Sequence, residues 1–105
     1  MRFEVFITQR AQDDLNSARE FIAWHAPETA ERWYADFLKT LLVLEQNPER
    51  WPLAAENEAV PFELRQYLYR TSSRIANRAL FTIVNNQVRV LAIPARVRNW
   101  RRVTI

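Results

Sequence analysis

The stretch Ala79-Leu80-Phe81-Thr82-Ile83-Val84-Asn85-Asn86-Gln87-Val88-Arg89-Val90-Leu91 decides the fold. Two apolar runs rich in β-branched and aromatic residues flank a pair of asparagines, and that arrangement predicts a β-hairpin. A tight hairpin turn needs a residue at positive φ, which glycine usually supplies. None of the 105 residues is glycine, so Asn85-Asn86 has to supply it. The same absence excludes a glycine-rich phosphate loop of the P-loop or dinucleotide kind. The two strands are expected over residues 75–84 and 87–93.

Upstream of this hairpin, residues 62–70 read as a further strand, with Thr71-Ser72-Ser73 as the turn between them. Residues 47–61 hold Pro48, Pro52 and Pro61, with Trp51 between the first two. They predict a connecting loop pinned to the fold by Trp51. Before the loop the period changes to that of a helix. Ala30, Trp33, Tyr34, Phe37, Leu38, Leu41 and Leu44 mark one apolar face, and Ala11, Leu15, Ala18, Ile22 and Ala26 mark another, widened by Phe21. Pro27 cannot continue the first helix but suits the first turn of the second, so an αα-hairpin is expected. Trp24, Trp33 and Trp51 read as core and loop anchors. At the start of the chain Phe3, Val5 and Ile7 alternate with their neighbours as a short strand does. The expected order is β-α-α-β-β-β in one α+β domain over residues 1–105. The helical hairpin should pack on one face of a small antiparallel sheet, with the other face partly open.

Composition narrows the function. Hydrophobic residues make up 49% and charged residues 26% of the chain, a globular balance. Without cysteine, and with His25 as the single histidine, neither a disulfide framework nor a Cys/His metal site is expected. Residues 1–8 lack the apolar stretch of an export signal. The aliphatic run Leu41–Leu44 is far short of a membrane span, so a cytoplasmic location is expected.

The net charge of +3 conceals an asymmetry. Residues 1–60 carry six basic and eleven acidic side chains, a balance of −5, whereas residues 61–105 carry nine arginines against Glu63, a balance of +8. Fourteen of the fifteen basic residues are arginine; Lys39 is the exception. The guanidinium fork suits carboxylates and phosphates, so the C-terminal half predicts an anionic partner, nucleic acid or acidic polypeptide. Arg78 should face away from the core if Ala79, Phe81 and Ile83 face it. Arg65 has a structural reading as well, an ion pair under the helices with Glu20 or Asp36.

Several segments in this order carry a resemblance. Ala11-Gln12-Asp13-Asp14-Leu15 opens the first helix, and Ala26-Pro27-Glu28-Thr29-Ala30 marks the break between helices. Leu44 to Pro48 and Trp51-Pro52 close the second helix and begin the loop. Glu63-Leu64-Arg65, Asn77-Arg78-Ala79-Leu80-Phe81 and Val88-Arg89-Val90-Leu91-Ala92-Ile93-Pro94 mark the strands, followed by Arg96 and Arg98. Together they resemble the RelE/ParE toxin superfamily of type II toxin–antitoxin systems, plasmid-stabilisation toxins that inhibit growth. The resemblance implies a cognate antitoxin with an acidic C-terminal segment, and no cofactor or metal. It is closer to the ParE-like branch, which acts by binding DNA gyrase. The RelE alternative is a metal-independent endoribonuclease acting on ribosome-bound mRNA, with Arg65 and Arg78 as its catalytic candidates. That chemistry needs a proton acceptor and donor that titrate near neutrality. Arginine is neither, and the basic half holds no histidine and a single carboxylate. Ala95 stands where the family often has histidine, and Asn77 where an aromatic is common. A degenerate member that binds antitoxin without toxicity is the third alternative.

Candidate residues for binding the target or antitoxin are Arg65, Arg78, Arg96, Arg98 and Trp100. The last three belong to a segment, residues 95–105, in which Arg96, Arg98, Arg101 and Arg102 surround Trp100 with no acid present. Like charges this close repel, and arginine beside an indole suits a carboxylate-bearing or base-bearing partner. The expected strands and helices all end before it. Deleting residues 99–105 is therefore expected to leave the thermal unfolding transition in place while weakening antitoxin binding, read by titration with the antitoxin segment.

Overall fold

The computed structural model describes residues 2–70 and 76–94, without the side chains of Arg70 and Ala76. The turn expected at Thr71-Ser72-Ser73, and Arg96, Arg98 and Trp100, lie outside the described residues. The elements follow the expected order: β1 (Glu4–Ile7), α1 (Gln9–Ala23), α2 (Pro27–Thr40), β2 (Arg65–Arg70), β3 (Ala76–Val84) and β4 (Gln87–Ala92). Short 3-10 turns at Leu41–Glu45, Pro48–Arg50 and Ala55–Ala59 punctuate the connection between α2 and β2. No helix among the described residues is long and apolar enough to cross a membrane.

Local chemistry sets the helix ends. Thr8 caps α1, its Oγ1 accepting from the Ala11 N–H at 3.3 Å, and the same hydroxyl donates to the Val90 carbonyl at 2.9 Å. One side chain thus starts the helix and ties it to β4. Pro27 begins α2, where its missing N–H costs nothing. α2 stops at Thr40, earlier than its apolar stripe suggests, and Leu41 and Leu44 continue in the 3-10 turn.

The sheet runs β1-β4-β3-β2. It is mixed, because β1 pairs parallel with β4 while β4–β3 and β3–β2 pair antiparallel. Two of the three pairings are antiparallel, as expected of the sheet, and the β1–β4 pairing departs from that expectation. The helical hairpin and the return through residues 41–64 start β2 in the sense of β1. Two hairpin reversals then leave β4 in that sense too, and β1 docks beside it.

Helix residues Ala11, Leu15, Trp33 and Phe37 pack with Leu41, Leu44, Ala79, Phe81, Val88, Val90 and Ile93 in the main core. Trp51 is pinned as expected, its ring edge-on to Tyr67 at 4.8 Å. Trp24, in contrast, is 85% exposed, because it follows the last turn of α1 and points past the packing face. The far face of the sheet is less open than expected. Residues 54–64 fold beneath it, and Ala54 and Leu64 bury Leu80, Leu91 and Ala92 in a second cluster.

Asn85 sits at φ 57° in the β3–β4 turn and Asn47 at φ 45°, so the left-handed positions among the described residues both fall to asparagine. A Cβ without a polar group to bond locally is penalised there. Asn85→Ala should therefore lower stability by about 1 kcal/mol, while Asn85→Gly holds it, both read from chemical denaturation midpoints.

Candidate functional site

Arg65 and Arg78 are placed by strand alternation. Arg65 stands opposite Phe81 and Arg78 opposite Leu68. Phe81 belongs to the helix-facing core, so successive residues put Arg65 on the helix side and Arg78 on the far side. The structure does not bring the two guanidinium groups to one surface. Each also has partners within the chain. Arg65 Nη1 donates to the Trp51 carbonyl at 2.7 Å and the Glu49 carbonyl at 3.1 Å, and Nη2 lies 3.6 Å from Glu63. It thereby holds the loop after α2, and neither Glu20 nor Asp36 is its partner.

Arg78 meets Glu56 in a bidentate pair, Nη2 to Oε2 at 2.7 Å and Nη1 to Oε1 at 3.0 Å, and also donates to Gln66 Oε1 at 3.1 Å. The Glu56 side chain is 9% exposed and that of Arg78 23%, so the contact latches residues 54–64 beneath the sheet. Glu56 and Gln66 are not among the residues that the sequence marks as site candidates. The only signal was an acidic Glu56-Asn57-Glu58 loop preceding an arginine-rich half, which names no pairing.

A second feature lies on the helix side. A groove of about 730 Å³ runs between α1, α2 and the β2–β3 end of the sheet, with Phe21, Ile22, Trp33, Tyr69 and Ile93 among its walls. Asp14, Asp36 and Asn77 bring polar groups into it, and among the described residues Arg32 is its one lining cation. Asp14 accepts the Ile93 N–H at 2.9 Å and so fixes the end of β4. Burial pushes the Asp14 carboxyl above the usual carboxylate value, against the Ile93 N–H and Arg10, which pull it down. At its rim Phe21 is 73% exposed, although helical spacing assigned it to the core stripe. The Tyr69 phenol is pushed up by burial, with Asp36 and Tyr67 adding to the effect. A tyrosine serving as a general base would need the opposite shift.

The comparisons accord with this architecture. The family model described as ParE toxin of type II toxin-antitoxin system, parDE, matches residues 5–100. Among solved structures, one titled Chromosomal ParDE TA system from P. aeruginosa superposes with a TM-score of 0.70 at 22% identity, covering 92% of this chain and 98% of that one. No curated protein sequence matches.

The Arg78 hydrogen bond holds the Glu56 carboxyl below its ordinary range, outweighing the opposing effect of burial. The folded-state pKa is depressed, so the pair stabilises the protein above the unfolded glutamate value and loses that contribution as pH falls through the folded one. Glu56→Gln is expected to cost about 2 kcal/mol at neutral pH. Its stability should also fall less steeply than wild type on the acid side, in denaturation midpoints measured across pH.

Proposed function

Since the chain belongs to the ParE toxin family of type II toxin–antitoxin systems, we propose that it inhibits growth by binding DNA gyrase. In this reading a cognate antitoxin neutralises it with an acidic C-terminal segment laid over the arginine-rich half.

The observation that supports binding over RNA cleavage is the separation of Arg65 and Arg78. Attack of a 2′-hydroxyl on its own phosphate needs cations gathered at the phosphorane and a proton acceptor and donor beside them. Here the two arginines lie on opposite faces of the sheet. One is engaged by loop carbonyls and the other by a carboxylate. Neither carries a group able to exchange a proton near neutral pH. A binding mechanism asks for no such convergence. It needs a surface, and arginine with exposed aromatic side chains serves that well.

Antitoxin recognition rests on the same charge asymmetry. An acidic amphipathic segment would order as it binds and neutralise the +8 balance of residues 61–105. Arg96, Arg98 and Trp100 are proposed as its main contacts. Arg65 and Arg78 are proposed to contribute as parts of the rigid sheet more than as free charges, given their internal partners.

Induction of the chain without its antitoxin is the test. DNA breaks should accumulate and supercoiling should falter while messenger RNA stays intact. New 5′ ends within translated messages would overturn the reading in favour of the ribosome-dependent nuclease. Normal growth at high expression would overturn it in favour of a non-toxic antitoxin binder.

A further inference from the structure

The sheet ends on β1, and the free side of that strand is open over a short stretch. The Glu4 N–H donates to the Asn86 carbonyl and the Thr8 N–H to the Val90 carbonyl, so Glu4, Phe6 and Thr8 face β4. Successive residues of a strand turn their backbone groups to opposite sides, which points those of Phe3, Val5 and Ile7 away from β4. The Phe3 N–H is taken by the Glu45 carbonyl at 2.9 Å. The N–H and C=O groups of Val5 and Ile7 have no partner among the described residues. The strand also lacks the proline, lysine or inward-pointing charge that usually blunts an edge. Val5 and Ile7 pack their side chains on the main core. Phe6 points to the far face, is 49% exposed and stands outside the cluster that residues 54–64 cover.

We infer that this edge pairs antiparallel with β1 of a second copy of the chain, about a twofold axis at Phe6, so that the two sheets become one. The open backbone groups select that register. Val5 of each copy stands opposite Ile7 of the other, and reciprocal N–H···O=C bonds between them satisfy every open group on both strands. Centring the pair on Val5 would set Ile7 of the copy against Phe3, whose N–H is already used and whose flank the Glu45 backbone fills. Centring it on Glu4 would set two carboxylates opposite each other, which is destabilising. Centring it on Ile7 would leave Val5 unpaired. With the axis at Phe6, the opposed pairs on the far face are Phe6 with Phe6 and Glu4 with Thr8, so no like charges meet. The Phe6 pair is of the non-hydrogen-bonded kind, with Cα atoms about 4.5 Å apart. Two half-exposed phenylalanine rings thus cover each other, and an aromatic cross-strand pair is favourable.

A second copy suits this edge better than a foreign strand because the open stretch is closed at both ends. Glu45 fills the flank of Phe3, and beyond Thr8 the chain turns into α1. What remains accepts a strand no longer than β1 itself, and a longer extended segment would run into one end or the other. The contact is small. Stable complexes bury about 1,200–2,000 Å², and a pairing built on four-residue strands lies at the low end of that scale. The pair therefore forms at high concentration and parts on dilution. Its consequence is a sheet edge closed to indiscriminate strand addition wherever the toxin is concentrated. The pairing rests on β1 alone and stands whether or not gyrase is the target.

Amide hydrogen exchange on the unaltered full chain gives the first readout. The Val5 and Ile7 amides are open in a single copy and bonded in the pair, so their protection should rise with protein concentration. The Thr8 amide, bonded to Val90 within the chain, should show no such dependence. Protection of Val5 and Ile7 that persists on dilution would place their cover within one chain and overturn the inference. Rapid exchange at every concentration would overturn it too, leaving the edge unpaired. Cross-linking then tests the register. The chain has no cysteine, and Phe6→Cys brings two thiols across the axis within the Cα separation that a disulfide spans, about 4.4–6.8 Å. Mild oxidation of this variant should yield a covalent dimer. Glu4→Cys, exposed on the same face, sets its two copies about 13 Å apart and should stay monomeric. Equal yields of dimer from both variants, or none from Phe6→Cys, would overturn the pairing. Neither antitoxin nor toxicity enters these measurements, so their failure is separate from any failure of the gyrase reading.

Discussion

Burial of Phe37 between the helical hairpin and the sheet is the interaction on which the rest of the structure depends. Its ring is fully buried, edge-on to Tyr69 at 5.2 Å and tilted against Trp33 at 5.4 Å. It therefore joins α2 to β2 in one contact. Burying a phenylalanine is worth about 1.5–3 kcal/mol, and neither a two-helix hairpin nor a four-stranded sheet can cover its own apolar face alone. Leu15 from α1 and Phe81 and Val90 from the sheet complete the layer. Once this layer is set, α1 is fixed over β4, and the Asp14 carboxylate comes within reach of the Ile93 N–H. The groove follows from the same packing, because the hairpin covers the sheet incompletely toward the β2–β3 end.

The far face obeys a different constraint. A segment without regular strands or long helices covers it, and such a segment has few backbone hydrogen bonds of its own to hold it in place. Asn57 Oδ1 accepts from the Leu64 N–H at 2.8 Å, the Ala54 N–H bonds the Leu64 carbonyl, and the Glu56–Arg78 pair fastens the segment to β3. A largely buried ion pair is weak evidence for net stability, since desolvation offsets much of its attraction. Its value lies in position. Removing one partner leaves a charge without its counterpart beneath the sheet, so the covering segment has one seat and not several.

What the sequence revealed was local. The β3–β4 hairpin was legible because alternation and the Asn85-Asn86 turn lie within nineteen residues, and Pro27 marked the helix break by its own covalent geometry. The parallel pairing of β1 with β4 was not legible, because it joins Glu4 to Gln87 and no local pattern encodes so distant a neighbour. Arg78 was placed on the correct face by alternation, yet its partner Glu56 lies 22 residues away in an irregular loop. Asp14 and Ile93, 79 residues apart, were equally invisible as a pair. Phe21 and Trp24 misled for the opposite reason. Helical spacing assigns residues to a stripe but does not say how far along the helix that stripe is covered.

The same distinction bears on how the charge asymmetry translates into function. Counting side chains gives the C-terminal half a balance of +8, as if nine guanidinium groups awaited a ligand. Among the described residues folding has already committed three of them: Arg78 to a carboxylate from the acidic half, Arg65 to carbonyls of the loop it holds, and Arg89 to the Gln87 side chain. An arginine bound in this way cannot clamp a phosphate unless its loop opens, and opening the segment latched by Arg78 would expose the second hydrophobic cluster to water. Chemistry that needs Arg65 and Arg78 together would thus work against the packing that positions them. Recognition through a surface makes no such demand, because it can proceed with the packing of the domain intact.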